Sequence, residues 1–392
     1  MNKEQIWSRI SAKDSIRFRT DGDCSSMWRD LLASDPCASF VLEQIDDLPL
    51  LLEFLERHQD KLRSGYFSYD LGMALQDVAS RHASQVPLAV FHAYDNWVEY
   101  HQGQPTYVDF EQSDGDEEDQ IVDVSPSIEF TPGISESVYE QTISRIHEYI
   151  RAGDFYQLNF TQQLKGKTKD PISYAGMLHK HPAAYAIAME YGEVKIHSLS
   201  PELFLHHRDG ILTTEPIKGT RPRGKTQQED DARKQELMSS EKEQAELFMI
   251  TDLLRNDLGK VSEIGSISLE AVKDIRQLPK VWHTYSRISG RLKQDLNPID
   301  ALLSMLPGGS ITGCPKKHAM EIIDELEEGS RGVYTGCLGY FHPHGDFSFN
   351  IAIRTLLQQG SEISLGSGGG ITIDSQWEAE WEELLVKAST FI

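Results

Sequence analysis

The spacing of apolar residues changes period repeatedly along the chain. From Tyr156 to Thr161 apolar and polar residues alternate, which predicts a strand with Gln157, Asn159 and Thr161 on one face. Just before it, Tyr139, Ile143, Ile146 and Ile150 recur at helical spacing. Ser137 and Glu140 stand at capping-box spacing and Gly153 ends the stripe, so a helix is expected to begin near Ser137 and stop at Gly153. A second long helix is expected over about 236–258. A third opens at Pro315, a favoured first helical position, with Ala319, Ile322, Ile323 and Leu326 on one face. Residues 363–365 read as a strand entering the run Gly366-Ser367-Gly368-Gly369-Gly370, and a last helix follows from Gln376. Apolar runs at 40–42 and 88–91 give the first part a mixed helix and strand character. The acidic, glycine-containing stretch 112–119 breaks the pattern. It divides the chain into a segment 1–110, an acidic loop 111–127 and a larger region 128–392. Without regular βαβ units or an internal repeat, the order predicts an α+β fold with antiparallel sheets.

Charge sharpens this picture. The 392 residues carry 38 Lys and Arg against 61 Asp and Glu, a net charge of −23, which argues against nucleic acid or an anionic membrane as partner. No window approaches the roughly 18 apolar residues of a membrane span, and the first 15 residues lack the apolar core of a secretory signal. Four scattered cysteines, Cys24, Cys37, Cys314 and Cys337, fit reduced thiols and a cytoplasmic location rather than a disulfide framework or zinc site. An anionic substrate would meet an adverse field, so its site must hold a divalent cation, clustered Lys and Arg, or both.

Several segments could carry chemistry. Pro216-Ile217-Lys218-Gly219-Thr220 places a lysine on a tight glycine-containing turn after a threonine-rich strand edge, where it can act as a cation or as an amine nucleophile. Glu243 and Glu246 lie three apart on one helix, as do Glu380 and Glu383, with Lys387 on the same face as the latter pair. Two facing carboxylate pairs would suit Mg²⁺, although in a chain this acidic such faces are ordinarily solvated. The glycine run lacks phosphate-loop spacing; it is either an anion cradle or a flexible turn. The small-residue stretch 307–316 opens a helix near Lys316 and Lys317. His283 stands beside aromatics, where packing is the commoner role. Arg354 sits in a strand-like segment, and Glu202 after an X-Pro bend reads as a cap or a general acid.

In order, the chain carries IRAGDFYQLNF, SLSPELF, PIKGTRPRG, EKEQAELFMITDLLRNDLGKV, PKVWHTYS, PGGSITGCPKKHAMEIIDELE, GCLGYF, IAIRTL, GSGGGI and DSQWEAEWEELLVKA. This series of about 250 residues resembles the chorismate-utilising enzymes, and the first 110 residues match that family's opening segment more loosely. The resemblance implies the fold of anthranilate synthase component I: two antiparallel sheets with flanking helices in one large domain. Lysine at position 218 resembles the aminodeoxychorismate synthases of para-aminobenzoate and folate biosynthesis; alanine there marks anthranilate, isochorismate and salicylate synthases. Gln157 stands where water-adding relatives carry a lysine base, and an amide cannot serve as one. The implied reaction is amination of chorismate to 4-amino-4-deoxychorismate, with anthranilate synthase component I as the alternative. By the same resemblance, Glu246 and Glu383 are direct Mg²⁺ ligands, and Glu243 and Glu380 lie in water-mediated or outer positions. Tyr340, Arg354, Gly368 and Gly369 clamp a substrate carboxylate with Lys387 close by, and Thr312 and His283 lie around the ring. Lys218 is the nucleophile and Glu202 the general acid. No glutaminase nucleophile is recognisable, so a separate glutamine amidotransferase subunit is expected to deliver ammonia.

Overall fold

Strands with one buried and one helix-covered face assemble two large antiparallel sheets. The computed structural model describes residues 16–19, 30–101, 104–109, 128–168, 172, 174–343 and 345–388. The first sheet runs in the spatial order β7 (Gln104–Asp109), β6 (Trp97–His101), β2 (Asp30–Ala33), β1 (Ile16–Arg19), β10 (Tyr185–Tyr191), β11 (Val194–Ser200), β19 (Thr355–Gln359), β20 (Glu362–Ile371), β9 (Leu158–Lys167) and β8 (Thr131–Pro132). The second runs β14 (Ile217–Pro222), β16 (Val281–Arg291), β13 (Ile211–Glu215), β12 (Leu203–Arg208), β18 (Phe347–Ile351), β17 (Cys337–Phe341), β4 (Leu62–Phe67), β5 (Ala89–Tyr94) and β3 (Ala38–Leu42), with β15 (Ser268–Gln277) also paired to β16. All these pairings are antiparallel. Both sheets take strands from either side of the acidic stretch, so the two segments of the sequence build one sandwich. The loop 111–127 itself lies outside the described residues.

Between the sheets, Leu31, Tyr185 and Ile187 of one meet Tyr66, Val90, Tyr94 and Leu338 of the other. Helices cover the outer faces. Helices α1 (Leu48–Arg57), α2 (Tyr69–Leu75), α6 (Glu241–Val261) and α7 (Pro298–Met305) pack on the second sheet. Helices α3 (Glu136–Ala152), α4 (Tyr174–Lys180), α8 (Lys316–Leu326) and α9 (Trp377–Ala388) pack on the first. Helix α5 (Gln227–Ser239) precedes α6. Among the described residues no helix is long and apolar enough to cross a membrane.

Four local expectations change. Helix α3 starts two residues early because the Ser135 hydroxyl, not that of Ser137, accepts from the Val138 N–H at 3.3 Å; Gly153 ends it in the left-handed conformation, φ 89°. The long helix over 236–258 is two helices: Ser240 turns extended and caps α6 by accepting from the Glu243 N–H. Pro315 is extended and precedes α8 rather than occupying its first turn. The glycine run is not a turn. It is strand throughout, with Gly368, Gly369 and Gly370 paired to Thr161, Phe160 and Asn159 of β9. Side chains would not fit there: the Tyr334 ring lies where a Cβ on Gly366 would stand, and the Gln157 amide where one on Gly370 would stand.

Candidate active site

Lys218 sits on β14, an edge strand whose pairing with β16 slips by one residue at Gly219: Lys218 pairs with Thr284, and Thr220 with His283. Gly219 takes φ 77°, and a Cβ there would lie 2.7 Å from Glu243 Oε2 and 2.8 Å from Leu237 Cδ1. Only glycine meets both demands, and the bulge re-aims the half-buried lysine. The Thr284 hydroxyl donates to the Lys218 carbonyl and fixes the strand. The same bulge brings β14 against α6, where Arg221 Nη1 donates to Glu243 Oε1 at 2.8 Å.

Helices α6 and α9 carry the carboxylate pairs. Glu243 Oε2 is buried with no hydrogen-bond partner among the described residues, and Glu246, one turn on, is half-buried. On α9, Ser375 donates to Glu380 Oε1 at 2.8 Å, and Lys387 pairs with Glu383 at 2.8 Å while donating to the Gly368 carbonyl at 2.7 Å. Burial raises the Glu380 carboxyl above its ordinary value, and the negative charge of Glu383 adds to this. Partial desolvation would raise Glu383, yet Lys387, Lys218 and Lys242 carry it below its ordinary value. Lys242, on α6, acts on both α9 carboxylates, so the two helices face each other across one acidic space. No three His, Cys, Asp or Glu side chains among the described residues converge tightly enough to close a metal cage. The donors nevertheless fit a hard divalent cation: all are carboxylate oxygens, one is orphaned, and two repel each other.

Glu202 lies buried between β11 and β12. Burial pushes its carboxyl up to about 7, against the lowering effects of a hydrogen bond from Ser310 and the charge of Lys218. Arg354 lies close to His283. It holds φ 47°, a conformation uncommon outside glycine. Desolvation pulls its guanidinium below its ordinary value, and no carboxylate restores it. Burial pushes the His283 imidazole down to about 3, aided by Arg354, so it stays neutral; its Nδ1 meets the Thr220 hydroxyl at 2.8 Å. The Thr312 hydroxyl donates to the Gly308 and Gly309 carbonyls, while its own carbonyl accepts from the Asn159 N–H at 2.7 Å, tying this loop to β9 beside Gln157. Buried acid, lysine, unpaired arginine and facing carboxylates together can receive a small dianion and protonate a leaving group.

Comparison with known proteins decides the family. Residues 19–392 match the family described as chorismate binding enzyme. This chain belongs to that family. It is 37% identical over 357 residues to the chloroplastic aminodeoxychorismate synthase of Arabidopsis thaliana, covering 82% of this chain and 39% of that protein. It is 39% identical over 261 residues to aminodeoxychorismate synthase component 1 of Bacillus subtilis, covering 66% and 56%. The structure of anthranilate synthase component I from Streptococcus pneumoniae superposes with a TM-score of 0.81 at 27% identity, covering 93% of this chain and 92% of that one. The chain spans between two fifths and three fifths of the curated relatives that head these matches.

Within this chorismate-binding fold, Lys218, Glu202, His283, Arg354, Thr312, Gln157, Gly368, Gly369, Lys387 and the four glutamates fall on the elements just described. Tyr340 does not join them: it is buried among Tyr66, Tyr94, Tyr185 and Leu338 between the sheets. Tyr334, six residues earlier, is the tyrosine laid on the glycine strand, at Gly366. Both belong to the run YTGCLGY, and Tyr340 was assigned through the family resemblance alone. Sequence reasoning also missed Ser310, partner of Glu202, and Arg221, partner of Glu243; both lie inside segments already singled out, as the S of PGGSITG and the first R of PIKGTRPRG.

Proposed function

We propose that this chain is an aminodeoxychorismate synthase component I, which converts chorismate and ammonia to 4-amino-4-deoxychorismate. The carrying observation is Lys218, re-aimed by the Gly219 bulge and sharing its electrostatic field with both Glu202 and Glu383. Mg²⁺ would be held by Glu243, Glu246, Glu380 and Glu383, and it supplies positive charge for a substrate carboxylate. Arg354, Lys387 and the backbone of Gly368 and Gly369 receive the other carboxylate. With them the substrate dianion is balanced inside an acidic protein.

Glu202, about half protonated at neutral pH, gives its proton to the C4 hydroxyl, which leaves as water. Lys218, as its free amine, adds at C2 as the C4–O bond breaks and both ring double bonds shift along the ring, and the new ammonium loses a proton. Ammonia then adds at C4, both double bonds shift back, and the C2–N bond breaks as the departing lysine nitrogen takes the proton that the C4 ammonium gives up. The enolpyruvyl group stays on the ring, so a separate lyase must release para-aminobenzoate. Ammonia comes from a separate glutamine amidotransferase subunit, and the dispersed cysteines suit a cytoplasmic setting.

Relatives bearing the names aminodeoxychorismate synthase and anthranilate synthase match at similar identity, so the choice between them rests on Lys218. Lys218→Ala tests it: loss of aminated product with chorismate binding retained supports the reading. Undiminished product from that variant contradicts it.

A further inference from the structure

The proposed acid has a chemical requirement that the substrate side does not meet. Glu202 loses its proton in each turnover and must regain one, yet it is only 6% exposed. Ser310 is also 6% exposed and stands beside the Glu202 carboxyl, whose value its hydroxyl lowers. The same serine lines a cavity of about 710 Å³ between α6 and the 308–314 loop, bounded also by Gln157, Leu253, Asn256, Gly259 and Thr312.

The loop is held so that Ser310 has little choice of position. A Cβ on Gly308 would lie 2.7 Å from Ile351 Cδ1, and one on Gly309 would lie 2.9 Å from Leu253 Cδ2. The loop is therefore wedged flush between β18 and α6. The Ile351 N–H donates to the Glu202 carbonyl at 3.1 Å, so the same β18 residue that abuts the loop also fixes Glu202. At the loop's far end, Lys316 pairs with the buried Asp257 of α6 at 2.7 Å and donates to the Met305 carbonyl.

We propose that Ser310 is the proton relay of the acid site, holding the Glu202 carboxyl and passing it protons from water in the cavity behind the loop. In that step the ionised Glu202 takes the Ser310 O–H proton while the serine oxygen takes one from a cavity hydronium. One O–H bond forms at each acceptor as one breaks at each donor, and bulk solvent is the source. This inference rests on Glu202 being the general acid proposed above.

The test uses the whole chain with chorismate, Mg²⁺ and ammonium, with product read by mass. Four variants are compared: Ser310→Ala, Ser310→Thr, Gly259→Phe and Glu202→Gln. Gly259 lines the cavity, and a Cβ there meets nothing within 4 Å, so a larger side chain can fill the space without a backbone clash. Ser310→Ala should lower kcat about tenfold or more with KM nearly unchanged. A serine donor favours the carboxylate, so its loss should move the alkaline limb of the rate profile to higher pH. Ser310→Thr should restore most of the rate, and Gly259→Phe should lower kcat without moving that limb. Infrared titration of the Glu202 carboxyl reads the serine contact without turnover, and its midpoint should rise in Ser310→Ala. An inactive Glu202→Gln beside a Ser310→Ala with wild-type kcat, limb and midpoint would overturn the relay and leave the acid in place. A Gly259→Phe variant at full rate would overturn the cavity as its proton source. A fully active Glu202→Gln would instead remove the general acid on which the relay depends.

Discussion

Lys218 has two possible uses, nucleophile and fixed positive charge, and substitution separates them. Arginine keeps the charge but cannot be deprotonated in proteins, so Lys218→Arg is expected to lose nearly all amination. A near-native rate in that variant would reduce Lys218 to an electrostatic residue. Trapping with a substrate analogue whose adduct cannot collapse should label the peptide containing Lys218, and Lys218→Ala should abolish the label. For Glu202 the sign of the pH effect follows from burial. Its folded-state value near 7 lies above the ordinary carboxyl value of 4.5, so the folded protein holds this proton more tightly than the unfolded chain. Its favourable contribution is present below about 4.5 and is lost as pH rises through about 7. Glu202→Gln should therefore flatten the fall in melting temperature across that window. An unchanged slope would show that another group governs it.

The bulged strand and the facing helices carry the next expectations. Gly219→Ala should cost on the order of 1–3 kcal/mol from its left-handed backbone alone. It should also push Glu243 aside, weakening Mg²⁺ activation more than overall stability; calorimetry and a metal titration of activity check both. Glu327 is an anchor of another kind. Its carboxylate accepts from the Thr161 N–H and hydroxyl and pairs with Arg331, which also donates to the Ile311 and Asn159 carbonyls. Glu327→Ala leaves a buried cation beside the substrate loop and should cost about 3–5 kcal/mol in denaturant unfolding. These two cases show what was legible in the sequence. Period-2 alternation announced β9, the helical stripe announced α3, and the order of blocks announced the architecture, because hydrophobic spacing is local. The bulge at Gly219 was hidden because a turn and a bulge use the same glycine. The glycine strand was read as a possible turn because its reason lies elsewhere: Tyr334 and Gln157 occupy the space its side chains would need. The break at Ser240 was masked by unbroken helix-forming residues on either side. Buried partnerships such as Ser310 with Glu202 join residues more than a hundred positions apart, and no spacing rule reaches them.

Taken whole, the protein carries a net charge of −23, and the proposed dianion site answers it locally with Lys218, Arg354 and Lys387. Rising salt should weaken chorismate capture less than in an enzyme steered by a basic surface, because the attraction is confined to partly buried groups that salt screens poorly. The pH optimum with ammonium should be narrow. Free ammonia increases with pH while the protonated fraction of Glu202 declines above about 7, so the two limbs oppose each other. Glutamine alone should support no turnover by the purified chain, and a partner amidotransferase should restore its use. The most direct measurement is mass analysis of the product after incubating the chain with chorismate, Mg²⁺ and ammonium. The account predicts 4-amino-4-deoxychorismate with its enolpyruvyl group intact and no pyruvate released. Fluorescent anthranilate with stoichiometric pyruvate would contradict it and assign the alternative activity.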